Sequence, residues 1–166
     1  MPNFLWLTDI TEFSIPAGKV CLSAVLDRFD GRLSPWSIGT SPDAELANSS
    51  LLKALSGREG GELTVVHADR GCHYRWPGWV RICEENGVAR SMSAKGRSPD
   101  NSRMEGFFGT MKNEIFFYYR DWSGVTLEGF ASALEGYLAY YNDERLKESL
   151  GWMSTKQYRE SMGMAA

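Results

Sequence analysis

The pattern of apolar and polar positions predicts strands in the first quarter of the chain. Phe4–Phe13 is rich in apolar, aromatic and Thr residues, which is typical of a strand. Val20–Leu26 is almost continuously apolar, as expected for a central strand buried on both faces. Asp30-Gly31 is a hairpin signal, and Leu33–Ile38 predicts the returning strand. The first forty residues therefore predict a three-stranded antiparallel meander.

A helix start follows this meander. Ser41 can serve as its N-cap and Pro42 as its first residue, with Asp43 in the first turn. Apolar residues then recur at helical spacing, at Ala44, Ala47, Leu51 and Leu55. The glycines that end the segment are Gly57, Gly60 and Gly61.

The remaining pattern adds two short strands and three helices. Leu63–Val66 and Val88–Met92 are predicted strands, separated by a helix over Trp79–Glu85. The strand Leu33–Ile38, the helix after Ser41 and the strand Leu63–Val66, in this order, indicate a crossover connection and a parallel pair. Two long helices follow, one from Asp100 or Asn101 to about Tyr118 and one around Phe130–Tyr141. We therefore predict an α/β domain with a five-stranded mixed sheet, three antiparallel strands then two parallel, flanked by helices.

Composition narrows the class of protein. The formal net charge of −3 argues against a dedicated nucleic-acid-binding protein, which is usually basic. The cysteines are odd in number, Cys21, Cys72 and Cys83, and form no CxxC pair, which favours a reducing cytoplasm. No signal peptide and no membrane-spanning segment is predicted.

Two aspartates interrupt or follow the apolar strands. Asp9 lies within the first predicted strand, where a buried Asp is costly unless it is paired or metal-bound. Asp69 directly follows an apolar strand, and ligand sites in open α/β sheets gather at such strand ends. Each also has an ordinary interpretation, because Asp9 could face solvent on an edge strand and Asp69 could simply form a turn.

The helix that starts near Asp100 carries a third carboxylate. At 100° per residue, Glu105 and Lys112 are only about 20° apart around this helix. A carboxylate there can be partly desolvated and still reach a cleft, although an ordinary solvated helix face shows the same pattern. Both residues border an apolar stripe that should lie against the sheet, formed by Met104, Phe108, Met111 and Ile115.

The three carboxylates would form a site for hard cations if they converged over one end of the sheet. Mg²⁺ prefers oxygen ligands and retains several waters. Two such ions about 4 Å apart can hold the attacking and leaving oxygens of a phosphoryl displacement. The carboxylates Asp9, Asp69 and Glu105 are therefore candidates for metal-assisted chemistry on phosphodiesters.

Seven ordered stretches together resemble a known family. They are Thr8-Asp9-Ile10-Thr11-Glu12-Phe13, Asp27-Arg28-Phe29-Asp30-Gly31, His67-Ala68-Asp69-Arg70-Gly71, Asp100-Asn101-Ser102-Arg103-Met104-Glu105, Phe107-Phe108, Lys112-Asn113-Glu114, and Tyr140-Tyr141-Asn142 with Arg145. The chain resembles the catalytic domain of bacterial insertion-sequence transposases of the OrfB kind, which are related to retroviral integrases. The 35 residues at positions 70 to 104 separate the second carboxylate from the third, a spacing that gives the family its usual name.

This resemblance, which covers nearly the whole chain, implies an RNase-H-like fold and a role for each matching residue. Asp9, Asp69 and Glu105 match the catalytic carboxylates that bind two Mg²⁺ ions, for which Mn²⁺ can substitute. Lys112 matches a basic residue of the catalytic helix that contacts the DNA end. Other positions in the loop and helix start beside the site match DNA-contacting residues, namely Lys95, Arg97, Asn101 and Arg103.

The implied function is DDE-type DNA transposition or integration, by metal-dependent strand cleavage and strand transfer. The implied partners are transposon ends and target DNA, bound by a homo-oligomer in the bacterial cytoplasm and associated with the nucleoid. Residues 1–166 are expected to be one integrase-type core without the N-terminal helix-turn-helix DNA-recognition region, which would explain the acidic balance and puts autonomous transposition in doubt. Ala68, His73 and Thr155 depart from the usual Ser, Gln and Pro, but none of these changes removes a carboxylate.

Three alternatives stay open at the level of sequence. One is a zinc cluster, although its ligands would have to converge from one short turn, at His67, Asp69, Cys72 and His73. A second is a transposase remnant that only binds DNA or a full-length partner. A third is an RNase-H-like nuclease that acts by hydrolysis, against which Lys112, seven residues after Glu105, favours the transposase interpretation.

Overall fold

The computed structural model describes residues 1–58, 63–69, 71–92, 101–118 and 121–164, apart from the side chains at 72, 117 and 118. These residues form five strands and five α-helices, together with short 3-10 helices. The strands are β1 (Leu5–Ile15), β2 (Gly18–Asp27), β3 (Ser37–Gly39), β4 (Thr64–Ala68) and β5 (Val88–Met92). The helices are α1 (Ala44–Ser56), α2 (Pro77–Glu85), α3 (Ser102–Tyr118), α4 (Leu127–Asp143) and α5 (Thr155–Ser161). None of the helices in these ranges is long and apolar enough to cross a membrane.

The strands form one mixed sheet in the order β3-β2-β1-β4-β5. β1 and β2 pair antiparallel over ten residues, and β3 adds antiparallel to β2. β4 pairs parallel to both β1 and β5. The predicted five-stranded mixed sheet, with three antiparallel strands and then two parallel ones, is confirmed, and β1 occupies its centre.

Each face of the sheet packs against a different pair of helices. On one face, Leu7 and Phe13 of β1 join a buried cluster with the apolar residues of α3 and α4. On the other face, Trp6 of β1 and Val66 of β4 pack with α1 and α2. Side chains alternate between the faces of a strand, so the odd-numbered residues of β1 face α3. This alternation decides which helix can reach Asp9.

The third strand is shorter than predicted. The expected strand Leu33–Ile38 is wrong in extent, because β3 covers only Ser37–Gly39 and Leu33 makes an isolated bridge to Leu26. Pro35 has no backbone N–H and cannot continue a ladder through this segment. The side chain of Asn142 instead pairs with both main-chain groups of Leu33, at 2.9 Å each.

Helix α1 also begins later than predicted. The expected N-cap Ser41 and first residue Pro42 are wrong, because Asp43 has extended backbone and caps the helix. Its carboxylate accepts the backbone N–H of Leu46 at 2.9 Å. The aspartate satisfies a donor that is left free by the first helical turn.

The end of the chain contains structure that the apolar pattern did not predict. α5 begins with a capping box in which Ser154 and Gln157 satisfy each other's backbone N–H groups. Arg159 of this helix donates to the buried carboxylates of Asp27 and Asp30, at 2.8 Å and 2.6 Å. The C-terminal segment is thereby held against the end of β2.

Candidate active site

Asp9 lies on β1, and Asp69 directly follows β4, the parallel strand beside it. The register of β1 and β4 ends with the pair Thr8 and Ala68, and each aspartate is the next residue of the chain. Neighbouring strands lie about 4.8 Å apart. The two aspartate backbones therefore start at adjacent positions, at the point where the β1–β4 ladder ends.

Asp9 belongs to the face of the sheet that packs against α3. Asp9 has the same parity along β1 as Leu7 and Phe13, which are buried under α3 and α4. It also pairs directly with Ala24 of β2, another member of that cluster. In β4 the even-numbered Ala68 faces α1 and α2, and Asp69 is the first residue beyond this strand. The sheet therefore presents Asp9 toward the helix that carries Glu105, and Asp69 lines the same cavity as Asp9.

Short local hydrogen bonds orient these two carboxylates. Oδ1 of Asp9 accepts the backbone N–H of Ile10 at 2.8 Å. Oδ1 of Asp69 accepts the backbone N–H of Gly71 at 2.6 Å. A Cβ added at Gly71 would lie only 2.8 Å from that same Asp69 oxygen, which is closer than a carbon and an oxygen can pack. The glycine thus allows the backbone to approach the carboxylate.

Glu105 lies in the first turn of α3 and is exposed. The predicted apolar stripe of this helix is confirmed, since it is buried in the cluster under the sheet; its members are Met104, Phe108, Met111 and Ile115. Glu105 therefore borders the buried stripe of α3, as the helical spacing predicts.

Lys112 shares the Glu105 side of α3 and reaches over β1. Its Nζ lies 5.4 Å from the centroid of the Phe13 ring, a distance typical of a cation–π contact. Phe13 follows Asp9 by four residues on the same face, which is about 13 Å along the strand. The ammonium group is thus on the same face of the sheet as Asp9.

The electrostatics of Asp9 reflect a crowded acidic site. The pKa of Asp9 is raised from its ordinary value of 3.8 to about 6, first by burial and then by the negative charge of Asp69. The hydrogen bond from Ile10 lowers this pKa, and the charge of Glu105 raises it further. The charges of Asp69 and Glu105 therefore both disfavour the charged form of Asp9, and a bound cation would relieve this repulsion.

The donor chemistry of the site fits a hard divalent cation. In residues 1–58, 63–69, 71–92, 101–118 and 121–164, no three His, Cys, Asp or Glu side chains lie close enough together to hold one metal ion. Mg²⁺ does not require such a cluster, because it is bound through one or two carboxylates together with waters and substrate phosphates. Adjacent Asp9 and Asp69 carboxylates supply oxygen ligands of this kind.

A cavity of about 390 Å³ opens beside the two aspartates. Its lining includes Asp9, Asp69, Gly71, His73 and Tyr74. The phenol of Tyr74 is buried, and its pKa is raised well above the usual value by burial and then by the charge of Asp9. A larger cavity of about 950 Å³ lies at the opposite end of β1, beside the Arg159 ion pairs, and contains none of the predicted catalytic residues.

The other predicted DNA-contacting residues differ in their placement. Lys95 and Arg97 lie outside the described residues. Asn101 directly precedes α3 and is buried, with an exposed fraction of 4%. Arg103 is exposed and donates from Nη1 to the backbone oxygen of Arg28. Of these four residues, the structure brings Asn101 and Arg103 to the start of the helix that carries Glu105.

The residues of the zinc alternative have other contacts. Nδ1 of His67 lies 3.0 Å from the hydroxyl oxygen of Ser91 on the adjacent strand. The ring of His73 packs edge-on against Trp76. The side chain of Cys72 lies outside the described part of the chain. The two histidines therefore make local contacts beside the acidic site.

Two family models match most of the chain. Both are described as an integrase core domain, and they match residues 1–98 and residues 105–162. The first contains Asp9 and Asp69, and the second begins at Glu105.

Curated bacterial relatives are similar over nearly all of the chain. A probable transposase for insertion sequence element IS1353 from Shigella flexneri is 50% identical over 98% of this chain and 32% of its own length. An uncharacterized transposase-like protein from Haemophilus influenzae is 36% identical over 95% of this chain and 71% of its own length. The putative transposase InsK for insertion sequence element IS150 from Escherichia coli is 34% identical over 98% of this chain and 56% of its own length. The chain thus spans about a third of the Shigella relative and just over half of the E. coli relative.

Solved structures share the fold at low sequence identity. The HTLV-2 integrase catalytic core domain, solved in complex with magnesium, superimposes with a TM-score of 0.73 at 21% identity, over 95% of this chain and 97% of that one. The catalytic core domain of BIV integrase superimposes with a TM-score of 0.70 at 17% identity, over 97% of each chain. The predicted RNase-H-like fold is therefore confirmed.

Proposed function

The chain belongs to the integrase core domain family, and on that premise we propose that it is a transposase catalytic core that cleaves DNA strands and joins them through a metal site formed by Asp9, Asp69 and Glu105. The observation that carries this proposal is the β1–β4 register, which ends at Thr8 and Ala68 and so brings the next residues, Asp9 and Asp69, to one cavity. The raised pKa of Asp9 supports it, because Asp69 and Glu105 both contribute to the increase.

The metal site would bind two Mg²⁺ ions, with Mn²⁺ as a substitute. Asp9, Asp69 and Glu105 would supply the protein ligands, all of them carboxylate oxygens. When bound, such ions stabilise the charge on a phosphodiester and favour deprotonation of an attacking hydroxyl. A water would be the nucleophile in cleavage and a DNA 3′-hydroxyl the nucleophile in strand transfer, so no covalent protein–DNA intermediate is required.

The protein's own cations would hold the DNA backbone. Lys112 lies on the Glu105 side of α3, over the ring of Phe13, which follows Asp9 by four residues on β1. From there it would contact a phosphate of the DNA backbone beside the metal site. Arg103, Lys95 and Arg97 are further proposed phosphate contacts, which would position DNA without reading its sequence. Transposon ends, target DNA and assembly as a homo-oligomer on DNA complete the proposal.

A pre-branched DNA provides a test that does not depend on recognition of a particular end. Such a substrate presents a 3′-hydroxyl next to a phosphodiester in one molecule, so both reacting groups are already in proximity. With Mg²⁺ or Mn²⁺ we expect the 166-residue chain to cleave and rejoin this DNA, and EDTA should abolish the reaction.

Two substitutions make this test specific. Asp69→Asn should remove the activity, whereas Asp143→Asn, at an exposed residue of α4, should leave it unchanged. Undiminished activity of the Asp69→Asn protein would refute the assignment of the metal site.

A further inference from the structure

Helix α3 carries an acidic residue on each border of its buried stripe. Glu114 follows Glu105 by nine positions, which places the two side chains about 180° apart around the helix axis. Met104 and Met111, which lie between these borders, are fully buried. The stripe thus rests on the sheet, with Glu105 on one side and Glu114 on the other.

The Glu114 side of α3 is tied to α4 and to the segment directly after it. Arg145 donates from Nη2 and Nε to Oε1 of Glu114, at 2.7 Å and 2.9 Å. The hydroxyl of Tyr137, on α4, donates to Oε2 of the same carboxylate at 2.6 Å. We call Glu114, Arg145 and Tyr137 the α3 clamp. A planar guanidinium that donates through two N–H groups fixes the orientation of its partner as well as its distance.

Partial burial makes this clamp stronger than an ordinary surface ion pair. The side chains of Arg145 and Glu114 are 26% and 28% exposed, and Arg145 also packs over the ring of Tyr141. Burial would raise the pKa of Glu114, but the hydrogen bonds from Arg145 and Tyr137 outweigh it and hold that pKa below its usual value. The carboxylate is therefore charged and held by donors from two directions at neutral pH.

We propose that the α3 clamp fixes the rotation of α3 about its own axis and thereby positions Glu105 for the metal site. This inference rests on the proposed function, because it assigns a purpose to the orientation of Glu105. The apolar stripe holds α3 against the sheet, but apolar contacts are non-directional, so they alone would allow a small rotation of the helix about its axis. The clamp resists such a roll from the border opposite Glu105, and Glu114, Arg145 and Tyr137 are positioning residues.

The geometry of a helix shows how little roll the site can accept. A carboxylate at the edge of a helix lies about 5–6 Å from the axis. A roll of about 20° therefore displaces the Glu105 carboxylate by roughly 2 Å. Oxygen ligands lie about 2.0–2.1 Å from Mg²⁺ in a near-ideal octahedron, so a displacement of this size decides whether Glu105 can reach an ion bound at Asp9 and Asp69.

The experiment measures metal affinity directly. Mn²⁺ is titrated into the 166-residue chain, and free Mn²⁺ is followed by its electron paramagnetic resonance signal, without DNA. Arg145→Gln and Glu114→Met should each raise the Kd for Mn²⁺ at least tenfold, toward the value of Glu105→Gln, as the loss of outer groups that orient metal ligands commonly does. Glu114→Gln keeps oxygen and side-chain length, so its Kd should lie between those of the wild type and Glu114→Met.

Control variants separate positioning from stability. Arg81→Gln breaks an exposed ion pair with Glu85 on α2 and should leave the Kd unchanged. Thermal unfolding of each variant establishes that it is folded at the assay temperature. Higher Mn²⁺ concentrations should restore the cleavage activity of Arg145→Gln, because the ligand is misplaced but still present.

Two different failures can be told apart. If Glu105→Gln weakens Mn²⁺ binding, whereas Arg145→Gln and Glu114→Met lower only the melting temperature, the clamp is structural and the positioning role is refuted. If Glu105→Gln itself leaves Mn²⁺ binding unchanged, the metal role of Glu105 in the proposed function fails, and the role of the clamp fails with it.

Discussion

Replacement of Asp9 by Asn should stabilise the metal-free protein at neutral pH. Asp9 is largely buried beside Asp69, and its pKa is raised from 3.8 to about 6 by burial first and by the neighbouring charge second. An asparagine keeps an oxygen that can accept the N–H of Ile10, while it removes the charge that is repelled. A residue that is destabilising without its ligand is expected where function requires clustered like charges.

The size and the pH dependence of this effect follow from the shift in pKa. An increase of about two units corresponds to at most about 3 kcal/mol at neutral pH. Between pH 3.8 and about 6 the folded chain binds a proton that the unfolded chain does not. Stability is therefore lost as pH rises through this window, and the full cost of the charge is present above it. We expect Asp9→Asn to gain about 1–3 kcal/mol at pH 7, roughly 2–12 °C in melting temperature for a chain of this length.

Thermal and urea unfolding in EDTA, from pH 3.5 to pH 8, measures this difference. The stability of the variant relative to the wild type should be close to zero at the acidic end and should reach a plateau above about pH 6. Mg²⁺ should raise the melting temperature of the wild type but not that of Asp9→Asn. A variant that is less stable than the wild type at pH 7, or a difference that does not change with pH, would refute the reasoning.

Two further substitutions probe the carboxylate turn and a buried cation. Gly71→Ala places a Cβ 2.8 Å from Oδ1 of Asp69 and should lower metal-dependent cleavage about tenfold in a folded protein. The control is Gly136→Ala on α4, where a Cβ would meet no atom within 4 Å, and it should leave cleavage unchanged. Burial lowers the pKa of Lys147 from its ordinary value of 10.5 to about 7. The buried charge therefore lowers the free energy of unfolding by its full amount below pH 7, and by less and less as pH rises toward 10.5. Between those pH values, Lys147 should make the free energy of unfolding of the wild type rise by up to about 1.4 kcal/mol per pH unit. In urea unfolding, the free energy of Lys147→Met should rise less steeply with pH. Equal slopes for the two proteins would contradict the burial of the ammonium.

Much of the fold could be predicted from the local pattern of apolar residues, because the residues that predict each helix or strand also form its buried face. The nearly continuous apolar run of β2 predicted a strand covered on both faces, and all but its first two residues are buried. The errors arose where a single side chain competes with the pattern. Asp43, and not Ser41, is the N-cap of α1. The side chain of Asn142, 109 residues away in the sequence, bonds the backbone of Leu33 where a neighbouring strand was expected.

The candidate site was only partly predictable for a similar reason. Helical spacing was enough to place Glu105 and Lys112 on one border of α3, because both belong to one element. The adjacency of Asp9 and Asp69 depends on the β1–β4 register, which no single segment specifies. The bond between Glu114 and Arg145 joins residues 31 positions apart, and although both lie in motifs of the family, the spacing did not indicate that they meet.

The most direct test of the proposed metal site is the location of Mn²⁺ by anomalous scattering in crystals of the chain. We predict an ion bound by carboxylate oxygens of Asp9 and Asp69 at about 2.1–2.2 Å, with Glu105 as a ligand to it or to a second ion about 4 Å away. Mn²⁺ bound only elsewhere on the protein at saturating concentration, with the Asp9 and Asp69 oxygens without metal, would contradict the site.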